Sequence, residues 1–221
     1  MKPIKFISPE EYTKLYKASK DKRMRLFLML GFLGGLRMSE IIGLPQRISI
    51  CCKAPVKYQK KYDSNRRRNI KNYYCSKCIT ALDPKDIRYS GKDWEIEPLQ
   101  PENVNLQTHQ IKIVHAKGNK WRVITTPISL TEDYKRLLPL DIKRRTMQDR
   151  FAKLTLEVLG KKLSPHVLRH GFGNYALNIK GLSISEVQGL MGHSRIDITG
   201  IYTKANPVDA VNKMWKAMGG E

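Results

Sequence analysis

The sequence has no apolar run long enough to cross a membrane. Its longest run, Leu26 to Leu36, falls well short of the roughly 20 apolar residues that a membrane-spanning helix requires. The N-terminus also lacks the uncharged apolar stretch of a secretory signal peptide. These absences predict a cytoplasmic protein with no membrane partner.

Cysteine and acidic residues are both scarce. Four cysteines in 221 residues fit a metal site in a reducing compartment better than a secreted disulfide framework. The 20 acidic residues are outnumbered by 41 lysines and arginines, which gives a formal net charge of +21. That excess favours a polyanionic partner, DNA or RNA before others. A basic membrane-surface protein is disfavoured, because the sequence lacks a long amphipathic helix with an aromatic apolar face and a lysine-rich polar face.

Periodicity and capping signals predict a mainly helical α+β domain with a small antiparallel β-hairpin sheet. Ser8, Pro9 and Glu11 form a helix start over residues 8–19. Residues 22–34 are too densely apolar for a single stripe, which predicts a core helix buried nearly all round. Two β-branched runs that flank Gly118 and Asn119 predict the hairpin. The strands of that hairpin are expected at residues 111–114 and 122–125, and further helices at residues 146–159, 165–180, 184–191 and 207–218.

The segment between these regular parts has a different composition. Residues 47–95 hold all four cysteines, many lysines and tyrosines and little apolar periodicity, which predicts an insertion over residues 45–98 into a core of residues 1–44 and 99–221. Its Arg66, Arg67 and Arg68 are predicted to bind DNA backbone, as are Lys120 and Arg122 near the hairpin. Cys75 and Cys78 have the spacing of a zinc half-site. Cys51 and Cys52 are adjacent, a spacing less suited to one tetrahedral ion, so a structural zinc and a reduced loop with idle thiols both stay open.

One predicted helix carries a cationic face. His166, Arg169 and His170 stand at i, i+3 and i+4 and therefore share one side of the helix. Such a face suits a phosphate, because arginine can donate two parallel hydrogen bonds to its oxygens. The core-facing side is expected to be formed by Leu168, Phe172, Ala176 and Ile179. A solvent-facing set of His and Arg is common, so this helix alone does not establish a site.

Four ordered motifs make the pattern specific. The chain reads GLRMSEIIGL around Arg37, AKGNKWRVITTP around Lys117, SPHVLRHGF around His166 and Arg169, and LMGHSRIDITGIYTK around His193 and Tyr202. In order and spacing these resemble the signatures of the tyrosine recombinase (phage integrase) family, with Tyr202 nine positions after His193. The resemblance implies that family's catalytic-domain fold and a site-specific recombinase or integrase acting in integration or excision of a mobile element.

The resemblance also implies a role for each motif residue. Arg37 and Arg169 would clamp the scissile phosphate, His166 and His193 would bond its oxygens and help move the tyrosine proton, and Lys117 would be the general acid. Tyr202 would be the nucleophile that forms a 3′-phosphotyrosine intermediate. No cofactor is implied for catalysis, and the only metal predicted is structural zinc on Cys51, Cys52, Cys75 and Cys78.

Several residues keep alternative interpretations. Lys120 or Arg122 could take the place of Lys117, and Tyr202 could be a core tyrosine with a satisfied hydroxyl. Glu40 either orients Arg37 or is simply a carboxylate at a helix start. His170 fits a supporting role beside the site better than a catalytic one.

The expected partner is double-stranded DNA. The resemblance implies four protomers around two duplexes, with a monomer as the alternative in the free state. The helix of residues 208–218 could dock on a neighbouring protomer.

The family's N-terminal core-binding domain is expected to be absent, and the host is expected to be prokaryotic, or a virus of a prokaryote. Gly200 and Lys204 depart from the family pattern. A resolvase or topoisomerase with the same chemistry, or a non-catalytic DNA-binding module, stays as the alternative function.

Overall fold

The computed structural model describes residues 6–63, 68–116, 120–192 and 207–220. The chain divides into two compact units. The larger unit comprises Met1–Ile42 and Pro98–Glu221, and the smaller unit comprises Gly43–Glu97. Within the described ranges, no helix is both long and apolar enough to cross a membrane.

Eight α-helices are described in the larger unit, and most of them begin and end at the signals in the sequence. Ser8 and Glu11 form a reciprocal capping box at the first helix, and Ser183 and Glu186 form another at the seventh. The helices are α1 Pro9–Ala18, α2 Lys22–Phe32, α3 Met38–Ile41, α4 Glu132–Lys135, α5 Arg144–Leu159, α6 His166–Asn174, α7 Ile184–Met191 and α8 Pro207–Ala217.

The core of the larger unit is centred on α2, as its composition predicts. Every residue of this helix from Leu26 to Phe32 is buried. Helix α6 packs against it, with Leu168 beside Gly31 and Gly171 beside Phe32. Leu168 and Phe172 of α6 are each 1% exposed. This packing fixes the helix that carries the cationic motif against the best-buried element of the unit.

Helix α6 does not continue as an α-helix to residue 180. A π-helical turn, Tyr175–Ile179, follows it, and the amide of Lys180 donates to the carbonyl of Tyr175 in the i→i+5 pattern. The wider turn rotates later residues around the axis. Ile179 is therefore 54% exposed, and its predicted place in the core is wrong.

The smaller unit is built mainly from strands. Strands β1 (Leu44–Ser49) and β5 (Ile87–Ile96) pair antiparallel. A second antiparallel sheet has the order β2 (Val56–Asp63), β3 (Arg68–Cys75) and β4 (Ala81–Leu82). The low apolar periodicity of this segment gave no prediction of these strands.

A three-stranded antiparallel sheet in the larger unit contains the predicted hairpin. Its order is β6 (Val104–Asn105), β7 (Gln110–Ala116) and β8 (Lys120–Thr125). Ile111 pairs with Ile124, and both are buried. Helices α7 and α8 pack against β8, which brings the C-terminal end of α7 beside this strand.

Helix α8 contributes two apolar side chains to the core of the larger unit. Val211 and Met214 are fully buried in the larger unit, and Lys213 forms a 2.8 Å ion pair with Glu186 of α7. The expectation that this helix docks on a neighbouring protomer stays a prediction.

Candidate active site

Arg37 stands at the N-terminus of the short helix α3. Its backbone is extended, and its amide donates to Oε2 of Glu40 at 2.8 Å, which closes the first turn. The guanidinium Nη1 donates to Oε1 of the same carboxylate, also at 2.8 Å. Glu40 therefore both caps the helix and orients Arg37, so the two interpretations of this residue hold together.

Glu40 is also bound by Arg122 on β8. The Arg122 atoms Nη1 and Nη2 donate to the two carboxylate oxygens at 2.9 and 2.8 Å in a bidentate pair. Both side chains are buried, at 0% exposure for Glu40 and 7% for Arg122. Burial alone would raise the pKa of Glu40, but the hydrogen bonds and charge of Arg122, followed by those of Arg37, lower it to about 2.

Arg169 on α6 completes this cationic cluster. Its Nη1 donates to the carbonyl of Gly35 at 2.6 Å and lies 4.0 Å from Oε2 of Glu40. Its Nη2 donates to the carbonyl of Met191. Burial, and then the positive charge of Arg37, lower the pKa of Arg169 to about 9, with Glu40 opposing the shift. The guanidinium therefore stays charged at neutral pH.

Three consecutive carbonyls at the end of α7 each accept a hydrogen bond from a different arginine. The pairs are Leu190 with Arg122, Met191 with Arg169, and Gly192 with Arg37. Carbonyls at a helix C-terminus have no partner within the helix and carry partial negative charge, so they suit cations. Helix α7 and Glu40 thus hold the three guanidinium groups from two sides.

Gly35 allows the close approach of α6 to this cluster. Its φ of +64° lies in the left-handed region, and a Cβ there would lie 2.5 Å from Cδ1 of Phe172. The carbonyl of Gly35 is the acceptor for Arg169. The glycine of the GLRMSE motif is therefore needed both for the backbone angle and for the position of Arg169.

The histidines of α6 lie at the exposed edge of the cluster. His166 and His170 are both exposed, and their rings are 5.8 Å apart. Partial burial lowers the pKa of His166, and the positive charges of His170, Arg169 and Arg37 add to the shift. The lowered pKa favours the neutral imidazole, which can accept a proton.

Three predicted catalytic residues, Lys117, His193 and Tyr202, lie outside the described residues. So do Arg66 and Arg67. Arg68 begins β3 and Lys120 begins β8, but their side chains are not described.

The structure corrects the prediction for Arg122. As a DNA contact or a substitute general acid its guanidinium would need to be accessible, yet the residue is 5% exposed and its fork is bound to Glu40. The alternation of residues along a strand could have predicted that Arg122 is buried. Arg122 and Ile124 lie on one face of β8, and Ile124 is buried. Trp121, on the opposite face, is 66% exposed.

The four cysteines lie together in the smaller unit. Cys51, Cys52, Cys75 and Cys78 place their sulfur atoms within 4.8 Å of one another, although the first pair is adjacent in sequence. All four are free thiols.

Comparison with known proteins identifies the family. The profile of the phage integrase family matches residues 94–208, which include Lys117, His166, Arg169, His193 and Tyr202. The chain belongs to the phage integrase family. The predicted recognition as a tyrosine recombinase is thereby confirmed.

Curated relatives match over part of their length. Tyrosine recombinase XerA of Saccharolobus solfataricus is 31% identical over 128 residues, which cover 53% of this chain and 42% of that protein. TnP I resolvase of Bacillus thuringiensis is 30% identical over 161 residues, or 66% of this chain and 54% of that protein. The chain thus spans about half the length of these relatives.

Two solved structures share the fold. The integrase from mycobacterium phage Brujita is 14% identical with a TM-score of 0.54, covering 99% of this chain and 57% of that one. A XerA recombinase structure is 20% identical with a TM-score of 0.52, covering 99% and 66%. The chain, with its helices and small antiparallel sheets, therefore has the fold of a tyrosine recombinase catalytic domain.

Proposed function

We propose that this chain cuts and rejoins double-stranded DNA at a specific site through a 3′-phosphotyrosine on Tyr202, and that it serves integration or excision of a mobile element. One observation carries the proposal. Arg37, Arg122 and Arg169 converge on the single carboxylate of Glu40, so these four side chains leave two positive charges uncompensated. A largely buried excess of positive charge is costly unless an anion binds, and a phosphodiester is the anion that the family handles.

The two motif arginines would act on the phosphate in different ways. Arg37, with 22% of its side chain exposed, can turn donors toward a non-bridging oxygen. Arg169 is 4% exposed and held by two carbonyls, so it would act as a fixed positive charge behind the phosphate. Fixed cationic donors stabilise the charge that grows on the phosphoryl oxygens in the transition state.

Tyr202 is proposed as the nucleophile and Lys117 as the general acid. The phenolate oxygen would attack phosphorus while the bond to the 5′ oxygen breaks, and Lys117 would protonate the departing oxygen. His166 and His193 would bond the phosphoryl oxygens and help take up the phenol proton. The reverse step, attack by a 5′ hydroxyl on the phosphotyrosine, restores the DNA and the free tyrosine. The covalent bond conserves the energy of the phosphodiester, so the chemistry needs no nucleotide and no metal ion.

The remaining parts of the proposal concern assembly and DNA contact. The smaller unit is proposed to be a cysteine-containing insertion in a mainly helical catalytic domain, occupying residues 45–98 and stabilised by a structural zinc ion. Arg66, Arg67, Arg68 and Lys120 are proposed to contact the DNA backbone, where each neutralised phosphate adds to the salt dependence of binding. Four protomers on two duplexes are proposed as the active assembly, in the cytoplasm of a prokaryotic cell.

A two-site plasmid assay tests the function. Sequences that the protein binds are selected from a random duplex pool, and two copies of one are placed on a supercoiled plasmid. Exchange between the sites by the wild type, absent in Tyr202→Phe, is the expected result. Relaxation without exchange, and without any requirement for the site, would identify a topoisomerase instead. Site binding with neither product would identify a non-catalytic DNA-binding module.

A further inference from the structure

Two turns in the smaller unit share one pattern of backbone hydrogen bonds. In the first turn, the amide of Ser49 donates to the carbonyl of Ala54 at 2.9 Å, and the amide of Lys53 donates to the carbonyl of Ser49 at 3.0 Å. Lys53 has a positive φ of 51°, which is uncommon for a residue with a side chain. The chain thus reverses tightly around Cys51 and Cys52.

The second turn repeats this pattern at the end of β3. The amide of Cys75 donates to the carbonyl of Thr80, and the amide of Ile79 donates to the carbonyl of Cys75, both at 3.0 Å. Ile79 has a φ of +61°. When the two turns are aligned by these hydrogen bonds, Cys52 corresponds to Cys78, and Ser49 corresponds to Cys75.

The first turn lacks the Cys-x-x-Cys spacing of the second turn. Ser49 occupies the place where the second turn has Cys75, and both residues are fully buried. The hydroxyl of Ser49 lies against the sulfur of Cys75, with Oγ donating at 3.2 Å. Cys51 instead brings its sulfur to 3.6 Å from that of Cys78.

These distances suit a metal ion held by four sulfurs. A tetrahedral zinc site with bonds of about 2.3 Å separates its sulfurs by about 3.8 Å. The Cys51 to Cys78 separation of 3.6 Å is close to that edge, and all four sulfurs lie within 4.8 Å of one another. A disulfide would require about 2.05 Å.

The smaller unit has little else to stabilise it. Among the side chains described in Gly43–Glu97, the buried apolar residues are Val56, Cys75 and Ile96. So small a core rarely supports a unit of this size without a disulfide or a metal. Metal binding would supply folding free energy directly.

We propose that the smaller unit holds one zinc ion on Cys51, Cys52, Cys75 and Cys78, with Cys51 supplying the ligand that Ser49 cannot. Four thiolates in tetrahedral arrangement select zinc among the common structural ions. Ser49 is a positioning residue, because its hydroxyl donates to the Cys75 sulfur and so fixes the direction of that ligand. The proposal concerns the smaller unit alone and does not depend on the cleavage chemistry.

The test uses the full chain purified under reducing conditions. Metal content is measured by mass spectrometry, and zinc affinity by titration with zinc chloride against a chromophoric chelator. Cobalt chloride serves as a spectroscopic probe of a tetrahedral thiolate site. We expect one zinc per chain, and its loss in Cys75→Ser. Removal of a ligand should cost at least as much as removal of an outer-shell partner, so Cys51→Ser should weaken zinc about 10–100-fold or more.

A rescue variant separates ligand loss from misfolding. Adding Ser49→Cys to Cys51→Ser creates a regular pair of cysteines in the first turn, and we expect it to restore zinc affinity and the cobalt spectrum. A gain of binding cannot arise from a folding defect. The proposal is overturned if the reduced wild type binds neither zinc nor cobalt, if it retains iron instead, or if Cys51→Ser binds zinc as tightly as the wild type.

Discussion

Replacing Glu40 by Gln should lower the free energy of unfolding by about 3 kcal/mol at neutral pH. The variant keeps the size of the side chain but removes the charge that Arg122 and Arg37 share. The magnitude follows from the pKa of Glu40, lowered from an ordinary value of 4.5 to about 2, since each unit corresponds to about 1.4 kcal/mol. Breaking a buried ion pair from one side costs about 3–5 kcal/mol on other grounds, which agrees.

The stabilisation by Glu40 depends on pH. Because the pKa of Glu40 is lower in the folded state than in the unfolded state, the stabilisation is present above about pH 4.5 and is lost as the pH falls toward 2. The difference between the wild type and Glu40→Gln should therefore shrink over that interval. Urea unfolding followed by the helical circular dichroism signal measures it, because the helices of eight or more residues lie in the larger unit.

Glu157→Gln is the matched control. Glu157 forms an exposed pair with Lys153 on α5, at 3.8 Å with 59% of the Glu157 side chain exposed, and such pairs contribute about 0–1 kcal/mol. A loss in Glu40→Gln no larger than in this control would refute the argument that the carboxylate holds the arginines in place.

Three further predictions concern the arginines, a glycine and DNA binding. Arg122→Lys keeps the positive charge but loses the bidentate hydrogen bonds to Glu40. We expect it to lower the rate of DNA cleavage and to leave the salt dependence of DNA binding unchanged. A flattened salt dependence would mean that Arg122 contacts DNA. Gly35→Ala should lower the thermal unfolding temperature more than Gly160→Ala does. Both glycines have φ near +65°, but only a Cβ at residue 35 meets Phe172. Equal decreases in the unfolding temperature would contradict the steric argument. Replacing Arg66–Arg68 by Gln should reduce the slope of log affinity against log salt by up to about 3, and an unchanged slope would exclude this segment from the DNA contact.

Local chemistry made much of the fold predictable. Helix α1 begins at the capping box of Ser8 and Glu11, and α7 at that of Ser183 and Glu186, because those side chains satisfy amides that a helix start leaves unpaired. The hairpin followed from two β-branched runs around a short turn. These signals act within a few residues and are visible without knowledge of the tertiary structure.

Long-range pairing explains what the sequence did not reveal. The hydrogen bonds between Arg122 and Glu40 join residues that are 82 positions apart. The sequence around either residue does not indicate which residue it pairs with. The strands of the smaller unit are polar at most positions, so their sequences show little alternation of apolar and polar residues. The exposed Ile179 depends on a π-helical turn, which shifts the helix face after Tyr175.

The sequence predicted which residues form the site better than it predicted how they are held in place. Motif order indicated Arg37, His166 and Arg169 as one group, and the structure brings the two arginines to a common carboxylate. The role of α7 was not predicted, because the acceptors are backbone carbonyls, which carry no sequence signature.

Covalent capture on DNA tests cleavage by Tyr202 most directly. A site selected by binding is prepared as a nicked suicide duplex, so that the released 5′ end diffuses away, and is incubated with excess chelator before denaturing electrophoresis. We expect a protein–DNA band with the wild type, no band with Tyr202→Phe, and a phosphotyrosine at Tyr202 in the digested adduct. An adduct at another residue, or none on a duplex that the wild type demonstrably binds, would contradict it.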